Sequence, residues 1–146
     1  MKNLRQSYMI DAPVNLVWQA LTDPAMIEEW GGGPAKMSAM PEDAFSLWGG
    51  DIFGKNTQVD PRHKLVQEWK EKKWGEVPFS TVTFNLKSVA GKTELELIHE
   101  GIPDTELISI EEGWRSFYLD PLKKLVEEIA DEEVEEEVGI NEEARI

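Results

Sequence analysis

The sequence contains no cysteine, so it offers neither a disulfide framework nor a thiolate for catalysis or metal binding. Histidine is almost as scarce, because His63 and His99 are the only two in 146 residues. No HExxH pair, EF-hand loop or nucleophile elbow accompanies them. We therefore expect no metal, no cofactor and no catalytic residue that a motif could identify.

Long apolar runs are also missing. The N-terminal stretch lacks the apolar segment of a signal peptide, and no run approaches membrane-spanning length. Positive charge is in short supply, since 15 Lys and Arg face 29 Asp and Glu for a net charge of -14. Binding to a phosphate backbone needs a cationic surface. We expect a monomeric cytoplasmic protein with no nucleic-acid partner and no membrane contact.

The negative charge is concentrated at the end of the chain. Residues 127–146 carry ten acidic side chains against Arg145 alone. Such a segment repels itself and is typical of a solvated helix end. The length suits one domain with a real core. We therefore expect a single domain over residues 1–130 and, over residues 131–146, an acidic tail or a frayed extension of the last helix.

The remainder of the chain alternates between helical and extended patterns. A β-prone run at residues 4–10 precedes two short helical segments, each preceded by an Asp and starting near Pro13 or Pro24. Short β-like runs follow, separated by Gly, Pro and Asp, which predicts an antiparallel meander. Those runs are AKMSAM, AFSLW, IFGKNTQV, KLVQEWKE, STVTFNLKSV and KTELELIHE.

Three of these runs show which residues face inward. Side chains alternate between the two faces of a strand, so the glutamates of KTELELIHE belong to the solvent side and the other set to the core. The predicted inner face is apolar and aromatic except for Gln67 and His99. Its rows are Leu65, Gln67 and Trp69; Val82, Phe84 and Leu86; and Leu95, Leu97 and His99.

The last helix combines aromatic residues with a proline. A capping box, Ser109 to Glu112, predicts its start. Pro121 removes one backbone hydrogen bond and should kink the helix at a local cost of roughly 3 kcal/mol. Six apolar residues recur at helical spacing and predict one stripe facing the sheet. They are Trp114, Phe117, Tyr118, Leu122, Leu125 and Ile129.

One glycine-rich stretch has the spacing of a phosphate-binding loop. GGDIFGK, residues 49–55, is followed by Asn56 where Ser or Thr should hold magnesium, and then by a strand pattern where a helix should begin. We interpret these glycines as turn and bulge residues and exclude a nucleotide site.

Several blocks in order resemble a known family. They are IDAPVNLVWQALTDPAMIEEW, FSLWGGDIFGKN, KLVQEWKEKKW, TVTFNL, TELELIHEGIP and GWRSFYLDPLKKL. Together they are similar to the START-like (SRPBCC) superfamily, and within it to the homologues of the activator of the 90-kDa heat-shock protein (HSP) ATPase, C-terminal-domain type. The resemblance implies an α+β helix-grip fold, as in the birch-pollen allergen: a curved antiparallel sheet, two short helices and a long C-terminal helix.

The resemblance leaves three functions open. It implies foremost a non-enzymatic binding protein for a hydrophobic or aromatic small molecule or lipid, held between sheet and helix. The alternative is a stress-response co-chaperone that contacts a heat-shock ATPase, for which Trp74 is a candidate anchor if exposed. The third is a hydrolase or cyclase with His99 as base. The expected ligand-binding residues are Gln67, Trp69, Phe84, Leu97, His99, Trp114, Phe117 and Tyr118.

His99 has two interpretations in the sequence. An inward imidazole among apolar groups could titrate near neutrality and orient a ligand. Alternatively, it is a core histidine hydrogen-bonded to a neighbour such as Gln67 or a backbone carbonyl, since buried polar groups generally find partners.

Overall fold

The structure, a computed structural model, describes the backbone of residues 1–143 and the side chains of residues 1–133. One antiparallel sheet of six strands has the order β1-β6-β5-β4-β3-β2. The strands are β1 (Lys2–Ile10), β2 (Ala44–Leu47), β3 (Ile52–Asp60), β4 (Lys64–Glu71), β5 (Ser80–Val89) and β6 (Lys92–Ile102). Five strands in a meander therefore follow the opening strand, which pairs with the last one.

Four helices accompany the sheet. Two short ones follow β1, and two lie at the C-terminal end, joined by a π-helical segment, Trp114–Leu119. Their bounds are α1 (Val14–Thr22), α2 (Pro24–Trp30), α3 (Leu107–Gly113) and α4 (Asp120–Glu143). Asp23 caps α2 as predicted, because its Oδ1 accepts a hydrogen bond of 3.0 Å from the Ala25 N–H. The α+β helix-grip fold predicted from the sequence is confirmed.

The strand register confirms the inward rows. Leu65 pairs with Phe84 and Phe84 with Leu97, so the three rows lie side by side across β4, β5 and β6. All nine predicted inward residues are buried. The core lies between this face and α4, whose Leu122 and Val126 are fully buried against it.

The run AKMSAM, by contrast, does not form a strand. Its only β-bridge within the described part of the chain joins Lys36 to Ser46 of β2. The Ser38 hydroxyl accepts a hydrogen bond from the Met40 N–H at 3.2 Å and donates to the Asp43 carboxylate at 2.7 Å. Such local hydrogen bonds compete with the hydrogen bonds between strands of a sheet, so this segment does not adopt the extended strand that the sequence predicted.

The C-terminal helix differs from its prediction in two respects. The capping box is wrong, because α3 begins at Leu107, directly after a 3₁₀ turn over Asp104–Glu106, and Ser109 lies inside it. The apolar stripe is wrong at Phe117, whose residue is 66% exposed. Each π-helical hydrogen bond spans five residues, so the residue that returns to the Trp114 face is Tyr118 and not Phe117.

The acidic tail falls partly inside the described residues. The backbone of α4 runs to Glu143, and residues 144–146 lie outside what the structure describes. None of the helices in the described part of the chain is long and apolar enough to cross a membrane.

Candidate functional site

An open cleft lies where the sheet and the C-terminal helices separate. Its volume is about 440 Å³. One wall comes from the start of β3, the end of β4 and the two lysines that follow it, and the other from α3 and the π-helical segment. We refer to it as the aromatic cleft, because the rings that line it are Trp48, Trp69, Trp114, Phe117 and Tyr118.

The other lining residues include both polar and apolar side chains. The polar ones are Asp51, Glu71, Lys72, Lys73 and Ser109, and the remainder are Ile52, Ile110 and Gly113. The rings are closely associated: the centroids of Trp69 and Trp114 are 5.4 Å apart, and those of Trp114 and Tyr118 are 4.6 Å apart. A pocket of this size with aromatic walls and a few polar groups is typical of a small-molecule site.

The structure brings half of the predicted ligand-binding residues to this cleft. Trp69, Trp114, Phe117 and Tyr118 line it. The residues that do not line it lie deeper in the packed core: Gln67, Phe84, Leu97 and His99. The space between sheet and helix is thus filled where Leu122 and Val126 of α4 pack on the sheet, and the aromatic cleft lies beside α3 and the π-helical segment.

His99 is a core residue with both ring nitrogens engaged. The Trp114 indole N–H donates to Nδ1 at 2.9 Å, so the neutral ring carries its proton on Nε2. Nε2 lies 2.8 Å from the Ser80 hydroxyl, which itself donates to the Trp69 carbonyl at 2.6 Å. Burial lowers the pKa of His99 to about 3. The ring is therefore neutral at physiological pH and holds Trp114 in place, and it has no lone pair left for a substrate.

Gln67 belongs to a second buried network, separate from His99. Its Nε2 donates to Asn56 Oδ1 at 3.1 Å and lies 3.8 Å from the Met37 sulfur. Gln67 is not the hydrogen-bond partner of His99, although the sequence left that pairing open, because Val82 stands between them in the register. Gln67 fixes the packing of β3 against β4.

Tyr118 presents an unused hydroxyl to the cleft. The residue is only 2% exposed, and burial raises the pKa of its phenol. Its hydroxyl makes no hydrogen bond to any residue whose side chain the structure describes. Among the described side chains, the polar atoms that are fully enclosed and lack a hydrogen-bond partner are Glu71 Oε2 and Trp74 Nε1. The Tyr118 hydroxyl is not one of them, so it keeps some contact with the open cleft. A hydroxyl so placed can donate to or accept from a molecule in the cleft.

Glu71 is the most enclosed charged group on the cleft, with a side chain 19% exposed. Burial raises the pKa of its carboxyl. Its Oε2 lies 3.4 Å from Lys73 Nζ, a long ion pair without good hydrogen-bond geometry. Lys73 is 59% exposed and also lies 3.5 Å from Glu106, so it divides its charge between two carboxylates.

The sequence left Trp74 as a candidate surface anchor for a protein partner, but the structure shows that it is not exposed. It is 9% exposed and packs on Trp69, with ring centroids 5.7 Å apart. The short 3₁₀ turn Lys72–Trp74 folds it back over the end of the sheet.

Sequence reasoning missed several cleft residues, and two of them carried a signal. Glu71 continues the inward alternation of Leu65, Gln67 and Trp69 at the open end of β4. Gly113 is the last residue of α3, where the chain passes directly into the π-helical segment, and a Cβ added there would meet nothing within 4 Å. A glycine inside a helical pattern lowers helix stability relative to alanine, so its presence there signals a position with a packing or functional reason.

Comparisons with known proteins agree with this architecture. The family model described as "Activator of Hsp90 ATPase homolog 1-like protein" matches residues 11–127. The human activator of 90 kDa heat shock protein ATPase homolog 1 is 27% identical over 108 residues, which are 74% of this chain and 32% of the human protein. The chain spans about a third of the length of the curated relatives it matches, with 36%, 38% and 32% for the first three.

Two solved structures are similar over most of the chain. The crystal structure of an HSP90 activator from Plasmodium falciparum is 27% identical with a TM-score of 0.80, and the match covers 86% of this chain and 96% of that one. DynU16, a protein in the dynemicin biosynthetic locus, is 26% identical with a TM-score of 0.72, and the match covers 87% of this chain and 48% of that one.

Proposed function

The chain belongs to the Activator of Hsp90 ATPase homolog 1-like protein family, and from that premise we propose that it is a non-enzymatic binding protein for a hydrophobic or aromatic small molecule. The aromatic cleft is the proposed binding site. Family membership alone does not distinguish a ligand-binding protein from a co-chaperone, so the proposal depends on the geometry of this cleft.

The observation that carries the proposal is the Tyr118 hydroxyl. A phenol that is nearly buried normally finds a hydrogen-bond partner within the protein. Tyr118 lines the cleft and has none among the described side chains. A ligand that reaches this hydroxyl would supply the missing bond and would be oriented by it.

The walls of the cleft support an apolar or aromatic ligand body. Trp114 and Trp69 are held rigidly, since the His99 and Ser80 hydrogen bonds fix the indole of one and the backbone of the other. Phe117 is 66% exposed on the rim and has apolar surface left to cover. Rigid aromatic walls lose little conformational entropy when a ligand binds, which favours affinity.

Gly113 allows a direct test of the site. Gly113→Phe should place a ring in the open space beside α3 and block the cleft, because an added Cβ meets nothing within 4 Å. Replacing a helical glycine should not lower the thermal stability. The matched control is Ser116→Phe, since Ser116 is exposed and does not line the cleft.

The readout is an amide and indole NMR titration with a panel of lipids and aromatic compounds. We expect shifts at Trp69, Gly113 and Trp114 with at least one compound. The shifts of Trp69 and Trp114 should be lost in Gly113→Phe, and all three should be retained in Ser116→Phe. Binding that survives the blocking substitution would place the ligand elsewhere, and silence across the whole panel would refute the proposal.

A second candidate function is contact with a heat-shock ATPase, proposed from the Plasmodium falciparum structure. That protein is named an HSP90 activator, and the match covers 96% of its chain in the crystal structure. Turnover of an Hsp90 ATPase should then rise when this chain is added, and a complex should form. If neither happens with the Hsp90 of the same cell, the co-chaperone function is excluded.

A further inference from the structure

We propose, on the basis of the small-molecule function above, that the ligand of the aromatic cleft carries a positive charge: it is an organic ammonium ion with an apolar body. Aromatic rings and Glu71 would hold the ammonium group, and Tyr118 would orient the remainder of the molecule.

The rings provide the first reason. An ammonium group placed against aromatic faces is attracted by their negative quadrupoles, and several rings around one space form the arrangement that recognises quaternary amines. The centroids of Trp48 and Tyr118 are 6.1 Å apart with an interplanar angle of 66°, and Trp114 is tilted by 47° to Tyr118. Trp48, Trp114 and Tyr118 all line the aromatic cleft, so a cation bound there would lie beside several rings.

The second reason is the incomplete neutralisation of Glu71. Its Oε2 is enclosed without a hydrogen-bond partner, and among the residues whose side chains the structure describes its only ion pair is the long one to Lys73, which is exposed and shared with Glu106. A neutral ligand would remove more water from Glu71 without offsetting its charge, and that desolvation costs free energy. A cationic ligand would instead supply the missing opposite charge in a poorly hydrated place, where the attraction is strong.

An anionic ligand is the opposite possibility, because Lys72 and Lys73 also line the cleft. Lys73 already serves two carboxylates. Lys72 is exposed, and a pair formed in solvent contributes little. An anion would also have to lie beside Glu71 and approach a chain of net charge -14. The overall field favours the arrival of cations and opposes that of anions.

Choline and its uncharged isostere 3,3-dimethylbutan-1-ol test the charge alone, because they differ by a nitrogen in place of a carbon. Each is titrated into the unaltered protein by NMR, with phenylacetate as the anion and benzyltrimethylammonium as a larger cation. We expect choline to bind at least about tenfold more tightly than its isostere. The preference should shrink as salt is added, since exposed parts of the field are screened.

The variant Glu71→Gln should reduce choline affinity about tenfold and leave the affinity for the isostere unchanged. The matched control is Glu112→Gln, which changes the net charge equally at an exposed position outside the cleft. Equal affinities for choline and the isostere, or tighter binding of phenylacetate, would overturn the inference while the small-molecule function stands. If none of these probes and none of the neutral aromatic compounds binds, both are refuted.

Discussion

Lowering the pH from 7 to 5 should destabilise this protein through the buried His99, whereas a histidine that stays exposed in the folded state should have no such effect. Burial lowers the pKa of the folded-state imidazole from 6.5 to about 3. In the unfolded chain, the ring accepts a proton near its ordinary pKa. The folded state therefore binds fewer protons between these values, and the free energy of unfolding falls as the pH drops below about 6.5.

The size of the effect follows from the two pKa values. At neutral pH, the contribution of His99 is fully present, because the ring is neutral in both states. At pH 5, the unfolded state gains about 2 kcal/mol relative to the folded state, since each pKa unit is worth about 1.4 kcal/mol. In a protein of this size, that loss corresponds to roughly 6–8 °C in the melting temperature.

The assay is urea unfolding at a series of pH values between 5 and 7. His99→Gln removes the titrating ring, so the fall in stability between pH 7 and pH 5 should shrink by about 2 kcal/mol even though the variant starts from a lower stability. His63→Gln is the matched control, because His63 is exposed and its replacement leaves the buried ring in place. The reasoning is refuted if His99→Gln retains the full slope, or if NMR shows the His99 ring titrating near pH 6.5.

Two further predictions concern packing. Gly54→Ala should destabilise the protein by about 3 kcal/mol or more, because the new Cβ would overlap the backbone carbonyl of Glu68 on the neighbouring strand. Gly113→Ala should be neutral or stabilising by up to about 1 kcal/mol, because the added methyl group enters open space beside a helix. A melting temperature of Gly54→Ala equal to or above that of Gly113→Ala would contradict this. Leu122→Ala should cost about 2–5 kcal/mol in urea unfolding, since the side chain is fully buried. Lys124→Ala, on the exposed side of α4, should change stability by less than about 0.5 kcal/mol.

The sheet was predictable because its signal is local. Alternation alone assigned Leu65, Phe84 and Leu97 to one face, and the register confirms that they are neighbours. A single strand carries this information, since each residue has only two directions to face. Glu71 obeys the same alternation and could have been identified from it.

The cleft was predictable only in part, because its shape depends on a helical irregularity. A regular α-helix would place Phe117 beside Trp114, whereas the π-helical segment turns it outward to the rim. The partners of His99 were equally hidden. Ser80 and Trp114 lie 19 and 15 residues away in the chain, and only the packing of α3 on the sheet brings the indole to the ring.

The most direct test of the binding function is a crystal structure with the tightest-binding compound of the NMR titrations. We predict electron density for the compound in the aromatic cleft, between Trp114 and Phe117, with a polar atom within hydrogen-bond distance of the Tyr118 hydroxyl. Density on the outer face of the sheet, or an occupied cleft in which that hydroxyl stays unbonded, would contradict the assignment of this cleft as the binding site.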